Sequence, residues 1–510
     1  MKPYKFLITI SIALTVLFFY TGCQKYLDEP PENTAFTEET DYTISSNMIL
    51  PLIGTYYELN YTEWEDFPLI SVRGDDVNSG GLDDQQDFGE TDKYNYNKDY
   101  WMYNSLWQNY YQNIISANSA IEQINLYAEY ADKAKAEQYI AEAKVLKSWW
   151  LFHLSRVWGD LPIPPSADPS EILTVPLSTK DEIMQTISDW MDEAIPNLPA
   201  VRPNERTDIP GGVTKYTALA MKAFANLELK NYPVVAEATG EIINSGKFEL
   251  EEDYYELFKI KGKLNNENLL EMQYSDLGQG AGDNFSYLFD FFGPQVWTPA
   301  VSGSSGGWGF WEPSIKYIKF MLDRGETVRL ETSVIFTDRG IAEIKTDPNY
   351  EDLPSWITNT TRSGDKFDDF AREMFCSGKH YLPSNQLTPG RTAYGTNKNF
   401  TCIRYAGILL MYAEALTQGA SGNAGTALEA VNLVRARVGM PTLSSVNNDQ
   451  VMDEKYAELA MEWGDRYYDM VRLGRYDELN YDGRTNFGPN KIFLPYPQNQ
   501  VDQLPVLGGK

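Results

Sequence analysis

Helical periodicity that recurs from segment to segment is the feature that most narrows the fold. Tyr103 to Tyr127 carries Leu106, Tyr110, Ile114, Ala117, Ala120, Ile121 and Ile124 at spacings of mostly three or four. Lys133 to Val157 repeats the pattern with Ala136, Ile140, Ala143, Leu146, Trp150 and Leu154, and Gly159-Asp160-Leu161-Pro162 stops it. Each stripe is one face of an α-helix, and each needs a neighbour to cover it. Further helices are predicted over about Thr43–Asn60, Lys180–Ile195, Thr214–Lys230, Pro233–Asn244, Ile403–Gln418, Ala424–Val438 and Gln450–Leu473. Successive antiparallel pairs of this length predict a mostly α fold, a tetratricopeptide-like α-solenoid, although the strict repeat consensus is absent.

Between the helices the chain changes character. Glu58 to Tyr100 reads as one long loop rich in Asp, Asn, Gly and aromatic residues, and long loops in compact domains are more often functional than not. From Phe248 to Asn399 the helical period fades, and Ala281 to Trp311 alone holds nine aromatic rings. The predicted architecture is therefore helix pairs packed against a loop-rich half with few short strands. Four regions follow: 1–22, 23–42, 43–247 and 248–510, the last divided into aromatic loops at 248–399 and helices at 403–473.

The first region sets the compartment. Lys2 and Lys5 precede fifteen uncharged residues, Phe6 to Tyr20, and then Thr21-Gly22-Cys23. That run is short for a membrane span and right for a secretory signal. The small residues before Cys23 resemble a bacterial lipoprotein cleavage box, although Tyr20 stands where Leu is usual. An ordinary signal peptide is the alternative. Lipidation of Cys23 would supply the two chains that stable anchoring requires. Residues 23–42 then read as a flexible tether. Cys376 and Cys402 remain, either bridged or as two buried thiols.

Composition excludes several functions. With 43 Lys and Arg against 72 Asp and Glu, the net charge of −29 repels phosphate backbones, so no nucleic-acid partner is expected. Two histidines, His153 and His380, leave little room for a His-rich metal site or a Ser-His-Asp triad. Gly240 to Lys247 misses the P-loop spacing, and the glycines near 303–309 do not lead from a strand into a helix. Asp76 to Asp87 partly echoes a calcium loop, but Gly80 occupies a ligand position. No catalytic residue, metal ligand or cofactor is assigned.

Several segments together resemble the SusD/RagB family of surface glycan-binding lipoproteins, of the starch-utilisation-system type. Ala141-Glu142-Ala143-Lys144 through Trp149-Trp150-Leu151-Phe152 to Gly159-Asp160-Leu161-Pro162 looks like that family's long N-terminal helix and its exit. Arg404 to Ala415 is similar to its R-x-A-[DE]-x-L-L-x-x-A-E-A signature, with Gly407 in place of the acid. Asn432 through Val434-Arg435-Ala436-Arg437 to Gly439, Glu458 to Glu462, Arg466 to Arg472, and Phe493-Leu494-Pro495-Tyr496-Pro497, which is similar to the family's closing L-P-I-P strand, follow in the family's order. The resemblance implies an outer-membrane lipoprotein facing the exterior, held by its lipid. It would bind a glycan and hand it to a SusC-like TonB-dependent transporter. Glu458, Glu462, Arg466, Asp469 and Arg472 are three to four apart and read as a buried or half-buried ion network.

Sugars offer C–H patches to flat rings and hydroxyls to carboxylates, amides and guanidinium groups. Two loops carry both kinds of group. The candidate ligand residues are Arg73, Asp75, Asp76, Tyr94 and Tyr96 in the first, and Trp297, Trp308 and Trp311 in the second, with Trp64, Asn78 and Trp101 nearby. Glycines in the second loop are read as letting the rings stand clear of the backbone. Two rival functions stay open. A surface glycoside hydrolase needs only two carboxylates and aromatic subsites, and a peptide or amino-acid capture protein would use the same transport scheme.

Overall fold

The computed structural model describes residues 40–60, 66–79, 85–277, 286–389, 395–481, 483–484 and 486–509. Cys23, the signal, almost all of the tether and Trp64 lie outside them. Eleven helices matter to the argument: α1 Leu50–Asn60, α2 Trp101–Tyr127, α3 Lys133–Trp158, α4 Lys180–Ala194, α5 Lys215–Glu228, α6 Tyr232–Asn244, α7 Ile315–Asp323, α8 Tyr405–Thr417, α9 Ala427–Arg437, α10 Asn448–Leu459 and α11 Asp465–Leu473. Their starts are written in the sequence. Asp132 accepts the Lys135 amide ahead of α3, and reciprocal capping boxes join Thr179 to Glu182, Thr426 to Glu429 and Asn447 to Gln450. Gly159, at φ +81°, ends α3 in a conformation that favours glycine.

The helices pack in succession. α2 lies on α3, α3 on α4, α4 on α5, α5 on α6, α6 on α8, and α8 on both α9 and α10. The solenoid thus runs past residue 247, and the loop-rich region is an insertion between α6 and α8. One large apolar core includes residues from both, among them Trp150, Ala220, Phe292 and Leu410. Among the described residues, eight short strands form four separate antiparallel pairs. They are β1 Val77–Ser79 with β4 Trp311–Pro313, β2 Asn268–Met272 with β8 Phe400–Arg404, β3 Trp297–Thr298 with β6 Lys366–Phe367, and β5 Val334–Phe336 with β7 Phe375–Ser377.

Three expectations need correction. The stretch read as a loop from 58 to 100 contains helices at Asp66–Ser71 and Gln86–Asp92 as well as β1. Phe67, Leu69 and Ile70 are all fully buried, so the first of these helices shows no amphipathic period. The single helix expected over 450–473 is two, α10 and α11, because Met461 and Gly464 adopt φ of +62° and +72°. Residues 493–497 form no strand; Leu494 instead donates its amide to the Val157 carbonyl at 3.0 Å. Cys376 and Cys402 are separate, buried free thiols.

The charged motif residues are interior, as expected, but they form three groups where one network was expected. Arg404 reaches Glu458 at 2.5 Å, Glu462 at 2.8 Å and Glu267 at 3.0 Å, with Arg437, Arg329 and Lys379 closing the same cluster. Asp469 and Arg472 belong to a second group with Lys455 and Glu414. Arg466 leaves both, pairing with Asp75 at 2.9 Å.

Candidate functional site

The β1–β4 pairing brings the two aromatic loops together. Val77 faces Pro313, Asn78 faces Glu312, and Ser79 faces Trp311. The second loop folds back on itself: Trp308 donates its amide to Asp290 O at 2.5 Å, and Phe310 donates to Phe291 O at 2.9 Å. Its glycines serve that close approach and do not free the rings. A Cβ on Gly307 would meet the Gly293 backbone at 2.7 Å, and Gly309 has φ +63° with the Glu373 carboxylate 2.5 Å from its Cβ position.

Most of the candidate ligand residues are structural. Arg73 is fully buried, donating to Tyr467 Oη at 3.0 Å and Ile492 O at 2.9 Å, with its guanidinium 4.4 Å from the Tyr467 ring centroid. Asp75, also fully buried, is held between Arg466 and Lys316, the latter at 2.6 Å. Asp76 accepts the Met461 amide, and burial pushes its carboxyl up to about 6. Tyr94 is interior and donates to Leu479 O; half-buried Tyr96 donates to Lys491 O. Trp311 is interior too, its ring between those of Phe88 at 5.3 Å and Phe292 at 6.3 Å. These side chains join the loops to the helical half, so Arg73, Asp75, Asp76, Tyr94 and Trp311 do not present a surface to a ligand.

Two tryptophans of the second loop are half-buried and part company. Trp297 packs against Phe367 and Tyr381, whereas Trp308 packs against Tyr287, Phe291 and Phe310. Arg372 holds the latter group in place, with Nη1 donating to Trp308 O at 2.7 Å and its guanidinium 4.5 Å from the Phe310 centroid.

Among the described residues, the most exposed ring near the seam is Trp101, at 49%. It opens α2, where Met102, Tyr103 and Leu106 face inward and Trp101, with Gln108, faces out. Its edge meets Phe88 at 6.0 Å, so rings run in contact from Trp101 through Phe88 to Trp311, and the preceding Phe310 lies 5.6 Å from Trp308. Burial raises the Asp87 carboxyl above the usual range, against the opposing pull of the nearby Trp101 backbone amide. A ring exposed beside a carboxylate can take one face of a sugar and one of its hydroxyls. The readable signal was an apolar ring on the outward phase of an otherwise polar helix face. Among the described residues no cluster of His, Cys, Asp and Glu has the make-up of a metal site.

A profile described as starch-binding associating with outer membrane matches residues 25–224, and one described as the SusD family matches 266–492. The chain belongs to the SusD/RagB family. A SusD-like protein of Bacteroides ovatus is 24% identical, with 98% of this chain and 96% of that protein aligned. SusD-like protein P2 of Formosa agariphila is 25% identical over 98% and 97%. Among solved structures, surface glycan-binding protein A of Bacteroides thetaiotaomicron, in complex with laminarihexaose, superposes with a TM-score of 0.73. It has 21% identity over 91% of this chain and 98% of that one. A laminarin-binding SusD-like protein gives 0.74 at 22% identity over 89% and 97%. These likenesses carry the SusD fold: tetratricopeptide-like helix pairs with a loop-rich insertion.

Proposed function

We propose that this SusD-family protein captures a glycan at the cell surface and delivers it to a TonB-dependent transporter, anchored in the outer membrane through lipidated Cys23. Family membership supports the reading, as do the relatives whose names record glycan or laminarin binding. The observation that carries it is the exposed Trp101 ring beside Asp87, in edge contact with Phe88 and through Phe88 with Trp311. Arg73, Asp75, Asp76, Tyr94 and Trp311 hold this surface in place, while Trp101, Trp308 and Asp87 meet the sugar. Trp297 belongs to the neighbouring β3–β6 edge. The protein's role is binding without turnover.

Affinity electrophoresis against plant, host and microbial polysaccharides tests this reading. One stacking ring contributes about 1 kcal/mol, so Trp101→Ala should weaken retention by about fivefold or more. Retention that is equal for wild type, Trp101→Ala and Trp308→Ala would remove this surface from the binding face. Sugar release abolished by mutation of one carboxylate would turn the reading towards a hydrolase.

A further inference from the structure

A groove opens where the C-terminal segment crosses the end of α3, and its volume of about 530 Å³ is within the range of small-ligand pockets. Hydrogen bonds fix its walls. Leu494 donates its amide to Val157 O at 3.0 Å, Trp158 Nε1 donates to Pro495 O at 3.1 Å, and Tyr496 Oη donates to Asp160 O at 2.7 Å. Further along, Gln498 donates its amide to Lys98 O at 3.0 Å, which ties the segment to the turn ahead of α2. Phe493 lines the groove and keeps 38% of its surface exposed. Its ring lies against the Gly159 backbone, where a Cβ would meet three ring atoms at 3.1–3.2 Å. Glycine at 159 therefore lets the ring lie close on the chain and leaves the rest of it to the groove. Half-buried Asp160 and exposed Lys98 add a carboxylate and an ammonium to the same lining, and Lys98 makes no ion pair among the described residues.

We propose that this groove is a saccharide subsite, taking one pyranose ring of a glycan that also engages Trp101. A pyranose has an apolar C–H face and a hydroxyl edge, and the groove has the same division. Phe493 meets the C–H face, while Lys98 donates to one hydroxyl and Asp160 accepts from another. The groove is continuous with the Trp101 surface. Three residues of chain span at most about 11 Å, and the bond from Tyr100 N–H to Asn97 O turns this stretch back on itself, so Lys98 and Trp101 share one face. Because the walls are already held by hydrogen bonds, little ordering is left for binding to impose. A glycan that spans both platforms gains the second contact without losing its translational freedom twice.

This inference rests on the glycan-capture reading, and the experiment separates the two. Wild type, Trp101→Ala, Phe493→Ala, Lys98→Ala and the Trp101→Ala/Phe493→Ala pair are compared by affinity electrophoresis on any polysaccharide that retards wild type, with melting curves alongside. Phe493→Ala and Lys98→Ala should each weaken retention about three- to tenfold, and the Trp101/Phe493 pair should fall below either single variant. Lys98 is exposed, so its substitution should leave the melting temperature unchanged. Wild-type retention by Lys98→Ala, with any loss in Phe493→Ala matched by a lower melting temperature, leaves glycan capture standing and overturns the groove. Should no polysaccharide retard wild type, the capture reading fails, and saturation-transfer NMR with methyl glucoside, galactoside and mannoside tests the groove alone. Transfer lost in Lys98→Ala supports the site; no transfer, or transfer unchanged by the substitution, overturns it.

Discussion

The Asp76 carboxylate accepts the backbone N–H of Met461 at 2.6 Å, joining residues 385 positions apart at the point where α10 gives way to α11. Met461 stands at φ +62° and is itself buried, so its amide has left the helical ladder and depends on this acceptor. Asp76→Ala removes the acceptor and leaves a buried amide unpaired, which costs about 1–3 kcal/mol. Asp76→Asn keeps a carbonyl oxygen there and removes a charge beside Asp75. The melting temperature should fall clearly for Ala and much less for Asn. Equal losses would mean that the charge, not the hydrogen bond, is what matters.

Acidification should first stabilise the protein and then unfold it. Burial raises Glu271, Glu312 and Glu373 to about 7 and Asp76 to about 6. A carboxyl whose folded pKa is raised binds its proton more tightly when folded, so its contribution improves as pH falls from about 7 towards the unfolded value of about 4. Glu458 behaves in the opposite sense: burial pushes it up, but Arg437, Arg404 and Arg329 outweigh that and hold it well below the usual range. Asp75 and Glu462 are likewise lowered, by Arg466 and Lys316 and by Arg404 and Lys379, against burial. Their stabilisation is present above about pH 4 and is lost below it. Melting followed by circular dichroism should therefore peak between about pH 4 and 6 and drop steeply beneath. A stability that rises steadily from pH 5 to 8 would contradict the assigned burial.

The helical half was readable because stripes such as Ile114, Ala117, Ile121 and Ile124 carry their own period, and caps such as Thr179 and Glu182 mark their own starts. The site was less readable, for a physical reason. An Arg or Asp in an aromatic loop looks the same whether it meets a ligand or a distant helix. Arg73 finds Tyr467 and Asp75 finds Arg466, partners almost four hundred positions away that local pattern cannot supply. The break at Gly464 was hidden likewise, since the apolar stripe continues through it; a Cβ there would lie 2.9 Å from Ile70 O.

Arg404 is surrounded by Glu267, Glu458 and Glu462, all of them buried. Removing one partner from such a cluster leaves charge uncompensated in the interior, at a cost of about 3–5 kcal/mol. Arg404→Ala should thus lower the denaturant midpoint sharply. Arg404→Lys should recover only part of the loss, because an ammonium cannot match the several directions in which the guanidinium donates. A midpoint for Arg404→Ala within error of wild type would show that Arg437, Arg329 and Lys379 suffice for the three carboxylates.

Trp101 and Trp311 both touch Phe88, at 6.0 and 5.3 Å, yet they should respond to mutation in opposite ways. Trp311 is 1% exposed, and deleting its ring opens a cavity beneath the β1–β4 pairing, costing about 3–5 kcal/mol. Trp101 keeps half its surface in water, so Trp101→Ala should change the melting temperature little while weakening glycan retention. Measuring both properties on both variants separates a ring that meets sugar from one that supports it. Trp311→Ala should bind only as weakly as its unfolding predicts, and conditions that restore its fold should restore retention. Trp101→Ala should stay deficient under every condition in which it is folded. If Trp101→Ala instead loses stability in proportion to binding, its ring is part of the scaffold and the glycan face lies elsewhere.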